Sequence, residues 1–174
     1  YQEIRTAFVA HVEKMASLAG ISIDGSAILK LETEIATHHW DQVKDRDATL
    51  TYNKHSRKEL EDRAPHFPWG LWLDAGDVKQ SVFDSVIVNE PSFFEGISAM
   101  LKDFDKASWV AWLKWHFISG SAAYLNDAIV QQSFSFYGTT LSGTPQIRER
   151  WKRAVSLVEG SLGEAVGRIY VDQH

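Results

Sequence analysis

The chain has 174 residues, of which 44% are hydrophobic and 24% charged, a composition typical of a folded globular protein and not of a disordered or fibrous one. Its formal net charge is −5, so the composition gives no sign of the basic surface that most nucleic-acid-binding proteins carry. The chain contains no cysteine, which excludes disulfides and thiolate metal sites within these residues. No apolar run approaches the ~20 residues that a membrane-spanning helix needs.

The N-terminal third is predicted to form two helices. Apolar residues at helical spacing define a first helix over residues 2–18, and Gly20 is a natural stop after it. A second helix is predicted to begin at Ser26 and to fade near residues 45–47. Arg46 and Asp47, within that last segment, are interpreted as a structural ion pair at the point where helix gives way to loop.

Two short helices follow, each with clear boundary signals. Ser56 with Glu59 three residues later forms a capping-box pattern that opens one helix, and Pro65 limits it. Pro68 is typical of the start of another brief helix, which ends at Gly76.

The middle of the chain contains the only predicted strand and the most apolar helix. The strand covers residues 85–89, which are short and β-branched. A second capping-box pattern, Ser92 with Glu95, predicts a helix that runs to about Phe104. Residues 109–125 are apolar nearly all round, so this helix is expected to be the most buried of the set.

The C-terminal part is predicted to be helical from residue 126 to Gly138 and again from Thr144, with Thr144 as N-cap and Pro145 in the first helical position. The last helix carries an apolar stripe, for which we expect burial, and three glycines that predict a kink or a close contact. The stripe consists of Trp151, Val155, Val158, Leu162, Ala165 and Ile169, and the glycines are Gly160, Gly163 and Gly167. The fold class is therefore mainly α: a multi-helix domain with at most one short β-strand or hairpin.

A search for catalytic or metal-binding patterns among the seven histidines identifies no site residue. A zincin needs H-E-x-x-H, with two imidazoles on one helix face, and the pattern does not occur. Glu34 with His38 and His55 with Glu59 have i, i+4 spacing, which is more typical of ordinary surface pairs. His116 lies within the most apolar helix and is predicted to be a buried, hydrogen-bonded core residue.

Other candidate patterns are also better explained by structure than by chemistry. The small residues 119–123 are interpreted as a place where a neighbouring helix packs closely, because no strand or lysine of a phosphate-binding loop accompanies them. The basic residues around Trp151 are interpreted as a solvated helix face, because Glu149 and Glu159 share that helix. Three tryptophans at steps of three, Trp109, Trp112 and Trp115, are expected to fill space between helices. No catalytic, cofactor-binding or metal-binding residue is predicted in this chain.

The order and spacing of several segments resemble the helical domain of the neprilysin-like zinc metalloendopeptidases, the family of neprilysin and the endothelin-converting enzymes. These segments are Leu31–Ala36, Arg46-Asp47, Tyr52–Lys54, Pro68-Trp69, Val86–Val88 with Pro91, Phe134–Tyr137, Leu141–Pro145, Arg150–Arg153 and Leu162–Val171. The resemblance extends across nearly the whole chain.

The resemblance implies a two-lobed enzyme with a cavity between its lobes. One lobe binds zinc through H-E-x-x-H and a later Glu, and an Asn-Ala sequence binds the substrate backbone; none of these has a matching position here. Residues 1–174 would then be a central part of the helical lobe, which caps the cavity and favours oligopeptides over folded proteins. The implied cofactor is zinc in the full-length enzyme, and the implied partners are oligopeptides and the zinc-binding domain of the same chain.

Two further expectations concern origin and extent. The absence of cysteine differs from the disulfide-rich animal members and indicates a bacterial protein, either cytoplasmic or exported. The apolar stripe continues through Ile169 to Val171 without a capping signal, so we expect the C-terminal edge to be artificial and the chain to continue. The alternative function is a stand-alone helical binding or scaffolding module without enzymatic activity.

Overall fold

A computed structural model describes residues 1–174 and confirms that the chain is mainly α-helical, with one two-stranded antiparallel sheet. The elements are α1 (Gln2–Leu18), α2 (Gly25–His38), α3 (Gln42–Asp45), β1 (Asn53–Ser56), α4 (Arg57–Arg63), α5 (Trp69–Ala75), β2 (Ser85–Val88), α6 (Pro91–Asp103), α7 (Lys106–Ser121), α8 (Asp127–Phe134) and α9 (Arg150–Gln173). Two 3-10 turns cover Gln80–Phe83 and Ala122–Tyr124, and a π-helix follows α8 at Ser135–Leu141.

The larger hydrophobic core lies where α1, α2, α7 and α8 meet. Its fully buried members are Val12, Met15, Ala16, Ile23, Ile28, Trp115, Ile118, Ala122 and Ile129. The predicted first helix is confirmed, and Gly20 ends it with a positive φ of 74°. Helix α2 then begins directly against α1, where a Cβ on Gly25 would collide with the Val9 carbonyl oxygen.

A smaller core lies beneath the sheet and consists of Leu60, Ala64, Trp69 and Val88, with Phe67, Phe83, Val86 and Phe94 packed around it. The Trp69 indole N–H donates to the Ala64 carbonyl oxygen at 3.1 Å, which satisfies the buried polar end of that side chain. The predicted strand is confirmed as β2. Its partner β1 was not predicted, because Asn53–Ser56 has no β-branched residue. These residues are held in an extended conformation by pairing with β2, Asn53 with Val88 and Ser56 with Ser85.

The second helix is shorter than predicted. It is capped by Asp24, whose carboxylate accepts hydrogen bonds from the Ser26 and Ala27 amides, and it ends at His38 instead of residues 45–47. A contact with a distant residue explains the ending, because the Trp40 amide donates to the Glu90 carboxylate at 2.6 Å. Helix α3 is a separate element, capped by Asp41.

Of the two capping boxes that the sequence predicts, one is confirmed and one is wrong. Ser56 and Glu59 form the reciprocal hydrogen bonds at the start of α4. With Ser92 as N-cap, α6 would begin at Phe93. It begins two residues earlier, at Pro91. The Ser92 hydroxyl is used elsewhere, because it accepts a hydrogen bond from the Trp40 indole at 2.7 Å, and Glu95 pairs with Arg63.

The predicted start of the last helix at Thr144 is also wrong. The Thr144 amide donates to the Gly138 carbonyl oxygen, and Gly143 has a positive φ of 67°, so a turn occupies this position. Helix α9 begins at Arg150 without a side-chain cap. The predicted kink is confirmed, because Leu162 between two of the three glycines has non-helical angles of φ −134° and ψ 38°.

The predicted burial of α7 and α9 is corrected by the structure. In α7 only Trp115 and Ile118 are fully buried, while Leu113 is 59% and Phe117 76% exposed. No residue of α9 is fully buried, and Trp151 is 63% exposed. An apolar stripe predicts which face of a helix packs against other protein, but it does not predict whether the packing partner lies among these residues.

Replacing Trp115 by alanine should lower the free energy of unfolding by ~3–5 kcal/mol, the usual cost of removing a buried large side chain. Trp151→Ala should change it by less than ~0.5 kcal/mol, as expected for an exposed position. Urea denaturation followed by circular dichroism measures both values. An equal loss for the two variants would contradict this division of the helices into core and surface.

The buried His11 should make stability fall in acid. Burial lowers the pKa of His11 from 6.5 to about 4, so its proton binds more weakly in the folded than in the unfolded chain. Its contribution is therefore fully present above pH ~6.5 and is lost as the pH falls towards ~4, by roughly 3 kcal/mol at most. The difference in unfolding free energy between wild type and His11→Phe, measured from pH 7 to 4.5, should shrink or reverse in acid. A difference that stays constant over this pH range for His11→Phe would contradict the assignment.

Candidate functional site

No group of three or more His, Cys, Asp or Glu side chains lies close enough together to hold a metal ion. The two i, i+4 pairs singled out in the sequence lie at the surface. His38 Nε2 is 3.9 Å from a Glu34 carboxylate oxygen, and His55 Nδ1 is 3.0 Å from the Asn53 carbonyl oxygen, two residues away. No third metal-ligating side chain joins either pair, so neither pair forms the three-ligand set that a zinc site needs.

A carboxylate on α2 links two side chains of α7. Glu32 Oε1 accepts a hydrogen bond from the Trp112 indole at 3.0 Å and lies 2.6 Å from His116 Nε2. The prediction that His116 is a core residue is therefore wrong: Trp115 occupies the inner face, and His116 lies ~100° further round the helix, half-exposed beside Glu32. The sequence signal that could have revealed this shared carboxylate is the i, i+4 spacing of its two partners, Trp112 and His116.

The three tryptophans of α7 differ in burial. Trp115 is enclosed and contacts Phe8 and His11 edge to face, with ring centroids 5.8 and 5.5 Å apart. Trp109 and Trp112 are partly buried and contact each other, so the row fills space between helices as predicted. It is not a flat stacking platform, because the Trp109 and Trp112 rings lie at 77° to each other.

A cavity of about 430 Å³ lies beside Glu32, between α1, α2, α7 and the π-helix. Its apolar lining is formed by Ile4, Phe8, Leu29, Trp115, Phe136 and Leu141, and its polar lining by Arg5, Glu32, His116, Ser119 and Tyr137. Apolar walls with a few polar groups are the usual composition of a small-molecule site. We call this space the Glu32 cavity.

The π-helix forms one wall of the Glu32 cavity. The helix predicted to end at Gly138 instead continues to Leu141 with the wider π geometry, which sequence periodicity did not reveal. Phe136 stacks on His11 at 4.7 Å and the adjacent Tyr137 contacts the same imidazole edge on at 5.4 Å. Two consecutive side chains of the π-helix therefore contact one buried histidine.

A larger apolar groove of about 820 Å³ lies on the opposite side of α7, against the end of α1 and the start of α8. Leu18, Ile21, Leu113, Phe117, Ile118, Leu125 and Ile129 line it, and Lys114 is its one charged residue. The exposed stripe of α9 adds a second apolar surface. Exposed apolar areas of this size mark surfaces that contact other protein or ligand.

The basic residues of the C-terminal part are only partly paired with carboxylates. Arg150 lies 3.6 Å from the Asp127 carboxylate, and Lys152 lies 3.0 Å from that of Glu149. Arg148 donates to the Ser156 hydroxyl and Arg153 to the Arg148 carbonyl oxygen. The predicted solvated face is confirmed for Arg150 and Lys152, whose side chains are 84% and 45% exposed.

One smaller prediction is wrong, and another holds in part. Arg46 and Asp47 do not form an ion pair; the Asp47 carboxylate instead accepts hydrogen bonds from the Thr49 and Leu50 amides. The small residues 119–123 lie at the end of α7 and in the following turn, with open space beside Gly120. Close packing occurs at Ala122 of this run, which is buried in the larger core.

None of the helices combines the length and the apolar character that crossing a membrane requires.

The sequence and the fold both match known proteins over nearly their whole extent. The N-terminal family model described as "Peptidase family M13" matches residues 1–174. Endothelin-converting enzyme 1 of Rattus norvegicus is 25% identical and is matched by 98% of this chain. The crystal structure of the zinc metalloprotease Zmp1 of Mycobacterium tuberculosis with an inhibitor superposes with a TM-score of 0.93 at 34% identity, and 99% of this chain is covered. The open state of the same enzyme gives a TM-score of 0.91.

The chain is much shorter than these relatives. It spans 23% of the rat enzyme and 27% of the mycobacterial chain. The 34% identity to a bacterial protein, compared with 25% for the rat one, agrees with the bacterial character expected from the missing cysteines. Because the family model matches every residue, the chain belongs to peptidase family M13, as a neprilysin-like segment of its N-terminal region.

Proposed function

We propose that this chain is part of a zinc-dependent metalloendopeptidase that hydrolyses oligopeptides, in which it forms a central part of the helical lobe over the substrate cavity. The observation that carries the proposal is the family match over residues 1–174. The names of the relatives support it, since one is a zinc metalloprotease and another an endothelin-converting enzyme. The chain spans about a quarter of their length, and in this proposal the zinc-binding domain lies outside these residues.

The role proposed for these residues is steric and not chemical. They do not fit a zinc ion, because no three potential ligand side chains converge anywhere in the chain. Two hydrophobic cores and the Glu32 link between α2 and α7 instead make a rigid wall. A rigid wall over a cavity admits short flexible peptides and excludes folded proteins.

The apolar groove along α7 and the stripe of α9 are the surfaces by which the chain would contact the zinc-binding domain. Leu113 and Phe117 project from the groove with most of their area exposed, although each carries a large apolar side chain. Burying such side chains against another domain stabilises the contact by about 25 cal/mol per Å² of apolar area removed from water. A surface of this kind favours a permanent partner within the same chain.

Residues 1–174 alone should neither retain stoichiometric zinc after dialysis nor cleave oligopeptides, whereas a natural protein that contains them should cleave oligopeptides in a chelator-sensitive manner. Metal analysis and a fluorogenic peptide assay with and without chelator measure both. The natural protein with both histidines of its H-E-x-x-H replaced is the control. Chelator-sensitive cleavage by residues 1–174, or a coding sequence without H-E-x-x-H beyond these residues, would contradict the proposal. The second result would favour the stand-alone binding module.

The apolar surfaces should make residues 1–174 associate when no partner covers them. The expected result is concentration-dependent sedimentation and binding of a hydrophobic dye. The double variant Leu113→Gln and Phe117→Gln should reduce both effects without loss of thermal stability, since both side chains are exposed. The matched control is Val43→Gln, which replaces an exposed apolar residue outside the groove. Monomeric behaviour without dye binding at high concentration would count against a shared interface.

A further inference from the structure

The Glu32 cavity combines a size suited to a small ligand with charged groups whose hydrogen-bonding capacity is not used up. Its volume of about 430 Å³ lies in the range of ~300–1,000 Å³ that small-molecule sites occupy. Trp115 and Phe136 are fully buried, so the aromatic part of its wall is held by the larger core and does not need a ligand to form. It contains no group of metal ligands.

Glu32 is a fixed acceptor on the cavity wall. Its Oε1 atom receives hydrogen bonds from Trp112 and His116, which hold the carboxylate in one orientation. Its Oε2 atom has no hydrogen-bond partner in the chain, although a carboxylate has about four acceptor positions. A carboxylate oriented in this way, and partly shielded from water, is suited to bind an ammonium group.

Arg5 supplies the opposite charge on the same cavity. It lies one helical turn from Phe8 along α1, and its guanidinium takes part in none of the nine ion pairs of the chain. A free guanidinium recognises carboxylate or carbonyl oxygens. The cavity therefore offers an apolar space with one negative and one positive group at its polar side.

The π-helix is a second, independent indication of a ligand. Such helices are rare and occur frequently at functional sites, because the wider turn is less stable than an α-helical one. Here the turn brings Tyr137 to the cavity, with its hydroxyl 3.3 Å from that of Ser119, and it places Leu141 on the same wall. The irregular element thus lines the cavity directly.

We propose that the Glu32 cavity binds an α-amino acid with a large apolar side chain, either free or as the first residue of a peptide. The side chain lies against Ile4, Phe8 and Leu141, the lining residues that keep accessible apolar area. The α-ammonium group binds Glu32 Oε2, and the carboxylate or first carbonyl oxygen accepts from Arg5. The complementary charges select this ligand over a purely apolar one, which would make neither charged contact.

Isothermal titration calorimetry with four probes tests the ligand class. L-phenylalaninamide and L-phenylalanine should bind, whereas N-acetyl-L-phenylalaninamide, which lacks the ammonium group, should bind at least ~10-fold more weakly, a difference of about 1.4 kcal/mol. Glycinamide, which lacks the apolar side chain, should not bind measurably. A tripeptide that begins with phenylalanine separates the two sources: equal or tighter binding than the free amino acid assigns the site to peptide amino termini, and no binding assigns it to free amino acids.

Matched variants test the residues. Glu32→Gln retains an oxygen that accepts from Trp112 and His116 but removes the charge, and it should weaken L-phenylalaninamide binding at least ~10-fold without lowering thermal stability by more than a few degrees. Glu34→Gln, two residues along the same helix and outside the cavity, should change neither quantity. Arg5→Met should weaken binding of L-phenylalanine more than that of L-phenylalaninamide.

Three results would overturn the proposal: no binding of any probe at millimolar concentration, equal binding of the acetylated and free probes, or equal effects of Glu32→Gln and Glu34→Gln. If Glu32→Gln proves unstable, the variant Leu141→Trp is used in its place. It fills the cavity from an exposed position and should abolish binding. The titrations need neither zinc nor peptide hydrolysis. Their failure is therefore distinguishable from failure of the proposed peptidase function.

Discussion

The burial of Trp115 is the contact on which the arrangement of the larger core depends. Its ring meets Phe8 and His11 of α1 edge to face, and those two side chains in turn contact Phe136 of the π-helix. One indole therefore fixes the positions of α1, α7 and the segment after α8 relative to each other. The close approach of α2 to α1 at Gly25 then completes the core without needing a further large side chain. The Glu32 cavity lies where these four elements meet.

The same packing places a histidine where its charge is disfavoured. His11 is stacked on Phe136 and enclosed, with Gln132 as its one hydrogen-bond partner and Nε2 unpaired. A lysine or arginine could not be accommodated in this position without a buried partner, whereas histidine can remain neutral. Its imidazole serves as a flat core side chain with one polar contact, and burial is the cause of its lowered pKa. Among the seven histidines, the sequence singled out His116 for burial, and the structure assigns that role to His11.

Local signals in the sequence were reliable where the interactions themselves are local. The stop at Gly20, the capping box of Ser56 with Glu59 and the strand at residues 85–88 depend on residues within a few positions, and all three are present. Two local signals failed because a turn uses the same residues: Thr144 donates to Gly138, and Asp47 accepts from the Thr49 and Leu50 amides. The errors at the end of α2 and at His116 arise from contacts between distant residues. Glu90 ends α2 from 50 residues away, and Glu32 draws His116 to the surface from 84 residues away. No periodicity encodes such pairs, because each partner alone is an ordinary surface residue. For the same reason, the Glu32 cavity could not be predicted, and only the shared spacing of Trp112 and His116 hinted at it.

The physical state of α9 supports a partner for this chain more directly than its sequence pattern does. Helical stability in proteins comes mostly from packing of an apolar face, since isolated helices are marginal in water. Each of the three glycines in α9 costs ~1 kcal/mol relative to alanine, and no residue of the helix is fully buried to offset that cost. The helix also bends at Leu162, so its two halves direct their apolar residues differently. A helix with these properties is stabilised when its apolar face packs against an external surface. In the proposed enzyme that surface is the zinc-binding domain, and the glycines, which have open space around them, are where a neighbouring backbone can approach closely.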